Sequence, residues 1–168
     1  MTDRRTLQMA FLKQARADWS AYQKTLHPSW PVCHRLHFLQ MATEKLGKAL
    51  LVGGKMSFER ITGSHAAFVK FLRVASNNYN LHAKLGMNRS QLNVYFAQFL
   101  PIAHEIETLA PALAQDGPNP EYPWLDKKGQ VYVPVDYSFP LIRLLQSPQG
   151  LHLVKYIRIF LIEFEKLF

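Results

Sequence analysis

Cysteine is nearly missing from this sequence: Cys33 is the only one, so no intrachain disulfide and no cysteine-built metal site can form. Nothing then points to an oxidising compartment, and a cytoplasmic location is the expectation. Long apolar runs are missing as well. The terminal stretch YIRIFLIEF is broken by Arg158 and Glu163 and falls far short of the roughly 20 residues a bilayer span needs. The opening MTDRRTLQMAFLKQARADW carries charges where a signal peptide needs an unbroken apolar core, and it reads as an amphipathic helix. A soluble protein with no membrane partner is expected. Also absent are GxxxxGK[ST], GxGxxG, GxSxG, HExxH and CxxC, the loops that cradle phosphates, the serine elbow and the common zinc frames. His34 and His37 lie three apart but lack a third ligand. No metal and no cofactor are expected.

Acidic residues are scarce in the first hundred positions. Residues 1–50 hold eight Lys/Arg against three Asp/Glu, residues 51–100 six against one, and residues 101–168 six against eight. The net charge of +8 is therefore +10 in the first hundred residues and −2 in the remainder. Such a balance favours a polyanionic partner, because Lys and Arg gain by releasing phosphate counterions. Basic residues that merely solvate helix surfaces give the same count.

What is present is helical periodicity. With 168 residues, 48% of them hydrophobic, the chain can bury a core as one domain spanning 1–168. Leu7, Phe11, Ala15, Trp19 and Tyr22 recur every three to four residues and predict a helix over about 5–26. Pro28 and Pro31 interrupt it, and a second helix is expected over about 32–52, with Leu36, Leu39 and Leu46 in its stripe and Gly53-Gly54 as its stop. Ser64 is the candidate cap of a third helix that buries Phe68, Phe71 and Leu72. YNLHAKLGM reads as a short helix or turn, and Ser90 as the cap of a long helix over about 91–114, kinked or divided at Pro101. Residues 114–140 form a proline-rich loop whose Tyr122, Trp124, Tyr132 and Tyr137 give it something to bury. Ser147-Pro148 then opens a final helix expected to turn Leu151, Val154, Ile157, Leu161, Phe164 and Phe168 inward. The fold class is all-α.

Two stretches carry candidate chemistry. In QMATEKLGKALL, residues 40–51, Glu44, Lys45 and Lys48 sit among alanines and leucines. They read as the polar edge of a packed helix, with Glu44 and Lys48 paired at i,i+4 and Ala42, Gly47 and Ala49 small enough for a neighbouring backbone to approach. In RITGSH, residues 60–65, Arg60 and His65 have the types that metal-free RNA cleavage uses: histidine to move the 2′-hydroxyl proton, arginine to hold the phosphate. With nine arginines and seven histidines in the chain, about one such spacing arises by chance, so the spacing alone does not discriminate.

Taken in chain order, QMATEKLGKALL, then GSHAAFVKFL, then NPEYPW resembles the HEPN domain family. The family's Q-x-A-x-E-K-x-x-K-A-L pattern is met by Gln40, Ala42, Glu44, Lys45, Lys48, Ala49 and Leu50, its histidine at the start of the third helix by His65, and its Tyr-Pro element by Tyr122 and Pro123. Glu121 stands where the family often has arginine. The resemblance implies an up-and-down helical bundle, here with an extended C-terminal helix, and a nucleic-acid-associated protein of a prokaryotic stress or defence system. In the family's ribonucleases it implies an R-x4–6-H pair, Arg60 and His65 here, assembled across a homodimer and acting without metal. It also implies a groove in which Lys45 and Lys48, oriented by Glu44, meet the phosphates of RNA or a nucleotide. The alternative is a non-catalytic module that binds a nucleotide or a protein partner through Tyr122 and Trp124 as exposed aromatic anchors.

Overall fold

The computed structural model describes residues 3–52, 61, 63–115 and 117–168. Helix α1, Arg4–Lys24, starts where the Asp3 carboxylate accepts the Thr6 N–H, and a turn through Pro28 leads into α2, Val32–Val52. Then come α3, Ala67–Ala75, α4, Tyr79–Leu85, α5, Arg89–Ala97, α6, Leu100–Glu107, and the single turn α7, Pro111–Ala114. An antiparallel ribbon follows, β1 Trp124–Leu125 against β2 Val131–Tyr132, with a 3₁₀ turn at Pro134–Asp136. Helices α8, Leu141–Gln146, and α9, Pro148–Leu167, complete the chain. The fold is all-α, and among the described residues no helix is long and apolar enough to cross a membrane.

α2 is the central strut. It packs along α1 on one side and against α3 and α6 on others, which is why 12 of its 21 residues are buried. Gly47 permits the closest approach: a Cβ there would lie 2.5 Å from the Ala67 carbonyl oxygen, inside any tolerable contact. A second layer joins α3, α5 and α9 through Phe71, Phe96 and Phe160, ring against ring at 5.0 and 6.0 Å. Phe68, Phe71 and Leu72 are fully buried, as their spacing predicts.

The helix expected over 91–114 divides near Pro101, as expected: Pro101 has no N–H to donate and sits in the first turn of α6, where none is needed. It divides a second time before Pro111, which opens α7. Three other expectations need correction. α5 is capped by Asn88, whose side chain accepts the Gln91 N–H while the Gln91 side chain accepts the Asn88 N–H, so Ser90 is not the cap. Nor does Ser64 cap α3. Residue 66 precedes that helix without a side-chain cap, and the buried Glu107 of α6 supplies an acceptor across the interior, taking the Val69 N–H at 2.7 Å. In α9 the Ser147 cap and Pro148 stand as expected, and Ile157, Leu161 and Phe164 are buried as their spacing predicts, but the buried face is wider, taking in Leu153, Tyr156 and Phe160, and Leu151 is exposed. The Gly53-Gly54 stop lies outside the described residues.

Candidate functional site

The charged residues of α2 do not form a polar edge. Glu44 and Lys48 are buried, their side chains 11% and 7% exposed, and Lys48 Nζ donates to Glu44 Oε1 at 2.6 Å. The other carboxylate oxygen, Oε2, accepts from Gln40 Nε2 at 2.8 Å and meets His65 Nδ1 at 3.1 Å. One helix turn on either side of Glu44 thus supplies a donor, and the segment entering α3 supplies the third. Burial pushes the Glu44 carboxyl up, but hydrogen bonds from Lys48, His65 and Gln40 with the Lys48 charge outweigh it and hold the group below the usual glutamate range.

That protonation state fixes the imidazole. An ionised carboxylate only accepts, so His65 Nδ1 must carry the hydrogen, and in the neutral ring Nε2 keeps its lone pair. The His65 side chain is 37% exposed, and Nε2 makes no hydrogen bond among the described residues. A histidine gripped at one nitrogen by a buried carboxylate and open at the other can take up and release a proton.

The shared lysine groove is corrected. Lys45 turns to α1, where its ammonium meets Asp18 Oδ2 at 2.7 Å and Gln14 steadies Oδ1 at 3.1 Å. Lys48 turns to Glu44. Both ammonium groups are matched by carboxylates and reach different elements, so the pair does not present a common phosphate-binding face. Arg60 lies outside the described residues.

Of the two aromatic anchors, Tyr122 is 61% exposed, whereas Trp124 is 7% exposed, which corrects the expectation of an exposed anchor there. Trp124 is held by ring contacts with Tyr132, Tyr137 and Phe139, and its short strand is paired, so the tryptophan is the core of the loop. The preceding turn is ordered by buried Asn119, whose side-chain oxygen accepts the N–H groups of Glu121 and Tyr122. Glu121 in turn lies 3.4 Å from His37 Nδ1 of α2.

Gln40 entered the sequence reading only through a motif, and Glu107 did not enter it. Nothing local marks either: Glu107 and Val69 are 38 residues apart. Among the described residues no group of three or more His, Cys, Asp or Glu is placed to hold a metal ion. Compared with protein-family models, with curated proteins and with solved structures, the chain matches none.

Proposed function

We infer that this chain is a HEPN-like, nucleic-acid-associated helical protein that cleaves RNA without a metal ion, with His65 as the proton-transferring group. The observation that carries the reading is the buried Glu44 carboxylate on His65 Nδ1, with Nε2 left without a hydrogen bond among the described residues. In the proposed step Nε2 takes the 2′-hydroxyl proton, the P–O2′ bond forms as the P–O5′ bond breaks, and the proton passes to the departing oxygen or to water. Arg60 is proposed to hold the phosphate as charge develops, in a site completed by a second copy of the chain as the resemblance implies. The surplus of basic residues in the first hundred positions supports an RNA partner, and exposed Lys70 and Arg73 carry some of that charge on α3.

Incubating the purified protein with total RNA in EDTA tests this. The reading expects cleavage that leaves 2′,3′-cyclic phosphate ends and is lost in His65→Ala. Equal cleavage by both proteins removes His65 from the chemistry. A second reading, a non-catalytic module binding a nucleotide or protein, is favoured by the exposed Tyr122 ring; RNA binding without cleavage by the wild type would select it.

A further inference from the structure

Helices α5 and α9 lie side by side. The Tyr95 ring packs on Tyr156 at 5.8 Å and its hydroxyl meets His152 Nδ1 at 3.2 Å, while Phe96 touches Tyr156 and Phe160 at 5.7 and 6.0 Å. These contacts decide which sides of the two helices are left to solvent. On α9, Leu151, Lys155, Arg158 and Ile162 recur every three or four residues, one stripe along the helix, and all are exposed. On α5, Val94, Met87, Gln91 and Gln98 line a hollow of about 450 Å³. Tyr95 borders that hollow and touches α9, and so joins the two surfaces into one face.

The face is apolar and basic together. Val94, Leu151 and Ile162 are 66%, 60% and 61% exposed; singly such residues are ordinary, but three on one face beside a hollow make a patch. The charge is of one sign. Residues 89–97 and 148–162 hold Arg89, Lys155 and Arg158 and no Asp or Glu. The acids that follow are already matched by other helices, Glu163 by Lys84 at 2.6 Å and Glu165 by Arg16 at 2.7 Å. Lys155 and Arg158 make no ion pair or hydrogen bond among the described residues.

These features narrow the occupant. A bilayer gains about 1 kcal/mol from each Lys or Arg at its surface, is too flat to fill a hollow, and finds no exposed Trp or Phe on this face to anchor it. RNA needs open rings for its bases, and here aliphatic side chains flank the cations while the ring of Tyr95 is packed against Phe99 and Tyr156. A helix with leucine-like residues three and four apart and carboxylates beside them meets every requirement. Its ridge fills the hollow and covers the three aliphatic side chains, and its acids meet Lys155 and Arg158. We propose that the α5–α9 face docks an acidic amphipathic helix of a protein partner. Leu151 and Ile162 lie about 16 Å apart along α9, so the partner helix spans about three turns. The proposal does not rest on the RNA reading and uses neither the Glu44–His65 group nor the loop that carries Tyr122.

The test is fluorescence anisotropy of the full-length protein with two labelled helical peptides of about 16 residues. Both carry the same leucine ridge, flanked by glutamate in one and by lysine in the other. The glutamate peptide is expected to bind, more weakly as NaCl rises, and the lysine peptide at least about tenfold less tightly. Lys155→Glu with Arg158→Glu, at two exposed positions, should reverse that order. Val94→Ser with Leu151→Ser should weaken the glutamate peptide about tenfold and keep its advantage over the lysine peptide. No binding at millimolar glutamate peptide, equal affinity for the two peptides, or an order unchanged by charge reversal overturns the proposal. Poly(U) and phosphatidylserine vesicles complete the test: if either binds more tightly than the glutamate peptide and is released by the charge reversal, the face belongs to RNA or to a membrane and the proposal is likewise overturned.

Discussion

Glu44 and Glu107 are both buried glutamates, one on α2 and one on α6, and both reach the start of α3, Glu44 through His65 just before it and Glu107 through Val69 in its first turn. Their carboxyls move in opposite directions. Burial pushes Glu107 up and prevails over the backbone N–H groups of Val69 and Phe68 and the more distant charges of His104 and Lys70. At Glu44 the same burial is overcome, because one donor is an ammonium in direct contact and a second is an imidazole. Depth alone therefore does not decide the state of a carboxylate; the charge on its donors does. Glu107 serves as a helix cap, and Glu44 is kept ionised where it can orient a histidine.

The comparison breaks most severely at Glu44. Glu44→Ala removes the carboxylate that Lys48, Gln40 and His65 share and should cost about 2–4 kcal/mol in denaturant unfolding. Gly47→Ala comes next, about 2–3 kcal/mol in the same measurement, because the new methyl collides with the Ala67 carbonyl at the start of α3. Glu107→Ala removes a cap and should cost about 1–2 kcal/mol, while Ser64→Ala, at the position that sequence logic favours for the cap, should stay within about 0.5 kcal/mol. Equal losses at Glu107 and Ser64 would return the capping role to the serine.

Acid sharpens the contrast further. Glu44, with its folded pKa depressed, contributes stability that is present above the ordinary glutamate range and lost as pH falls through the folded value, so the gap between wild type and Glu44→Gln should close on acidification. Glu107, with its folded pKa raised, contributes stability that is present below the ordinary range and lost as pH rises through the folded value. The gap between wild type and Glu107→Gln should therefore shift in favour of the variant as pH rises. Unfolding curves between about pH 3 and 7 check both.

The helices were legible where the signal is local. The 3.6-residue rhythm and the Ser147-Pro148 start place α1, α2 and α9 within a residue or two of the observed bounds, and Phe68, Phe71 and Leu72 announce the buried face of α3 by spacing alone. What stayed hidden depends on partners far along the chain. Glu44 and Lys48 look like a solvated i,i+4 pair until α3 arrives with His65 and closes over them. Trp124 looks like an exposed anchor until Tyr132 stacks on it from the next strand. In α9 the spacing finds Ile157, Leu161 and Phe164, but Leu151 and Ile162 are apolar and exposed, so the rhythm alone does not mark the edges of the face that meets Phe71 and Phe96. Arg60, the other half of the proposed catalytic pair, lies outside the described residues.

The most direct test of the Glu44–His65 arrangement is the tautomer of His65, read from nitrogen-15 shifts and ring couplings by NMR at a pH where the ring is neutral. The account predicts hydrogen on Nδ1 and a bare Nε2, with that preference lost in Glu44→Ala if the variant stays folded. A neutral ring carrying its hydrogen on Nε2 in the wild type would contradict it, since that ring could not donate to Glu44 and its lone pair would sit on Nδ1, against the carboxylate, instead of at Nε2.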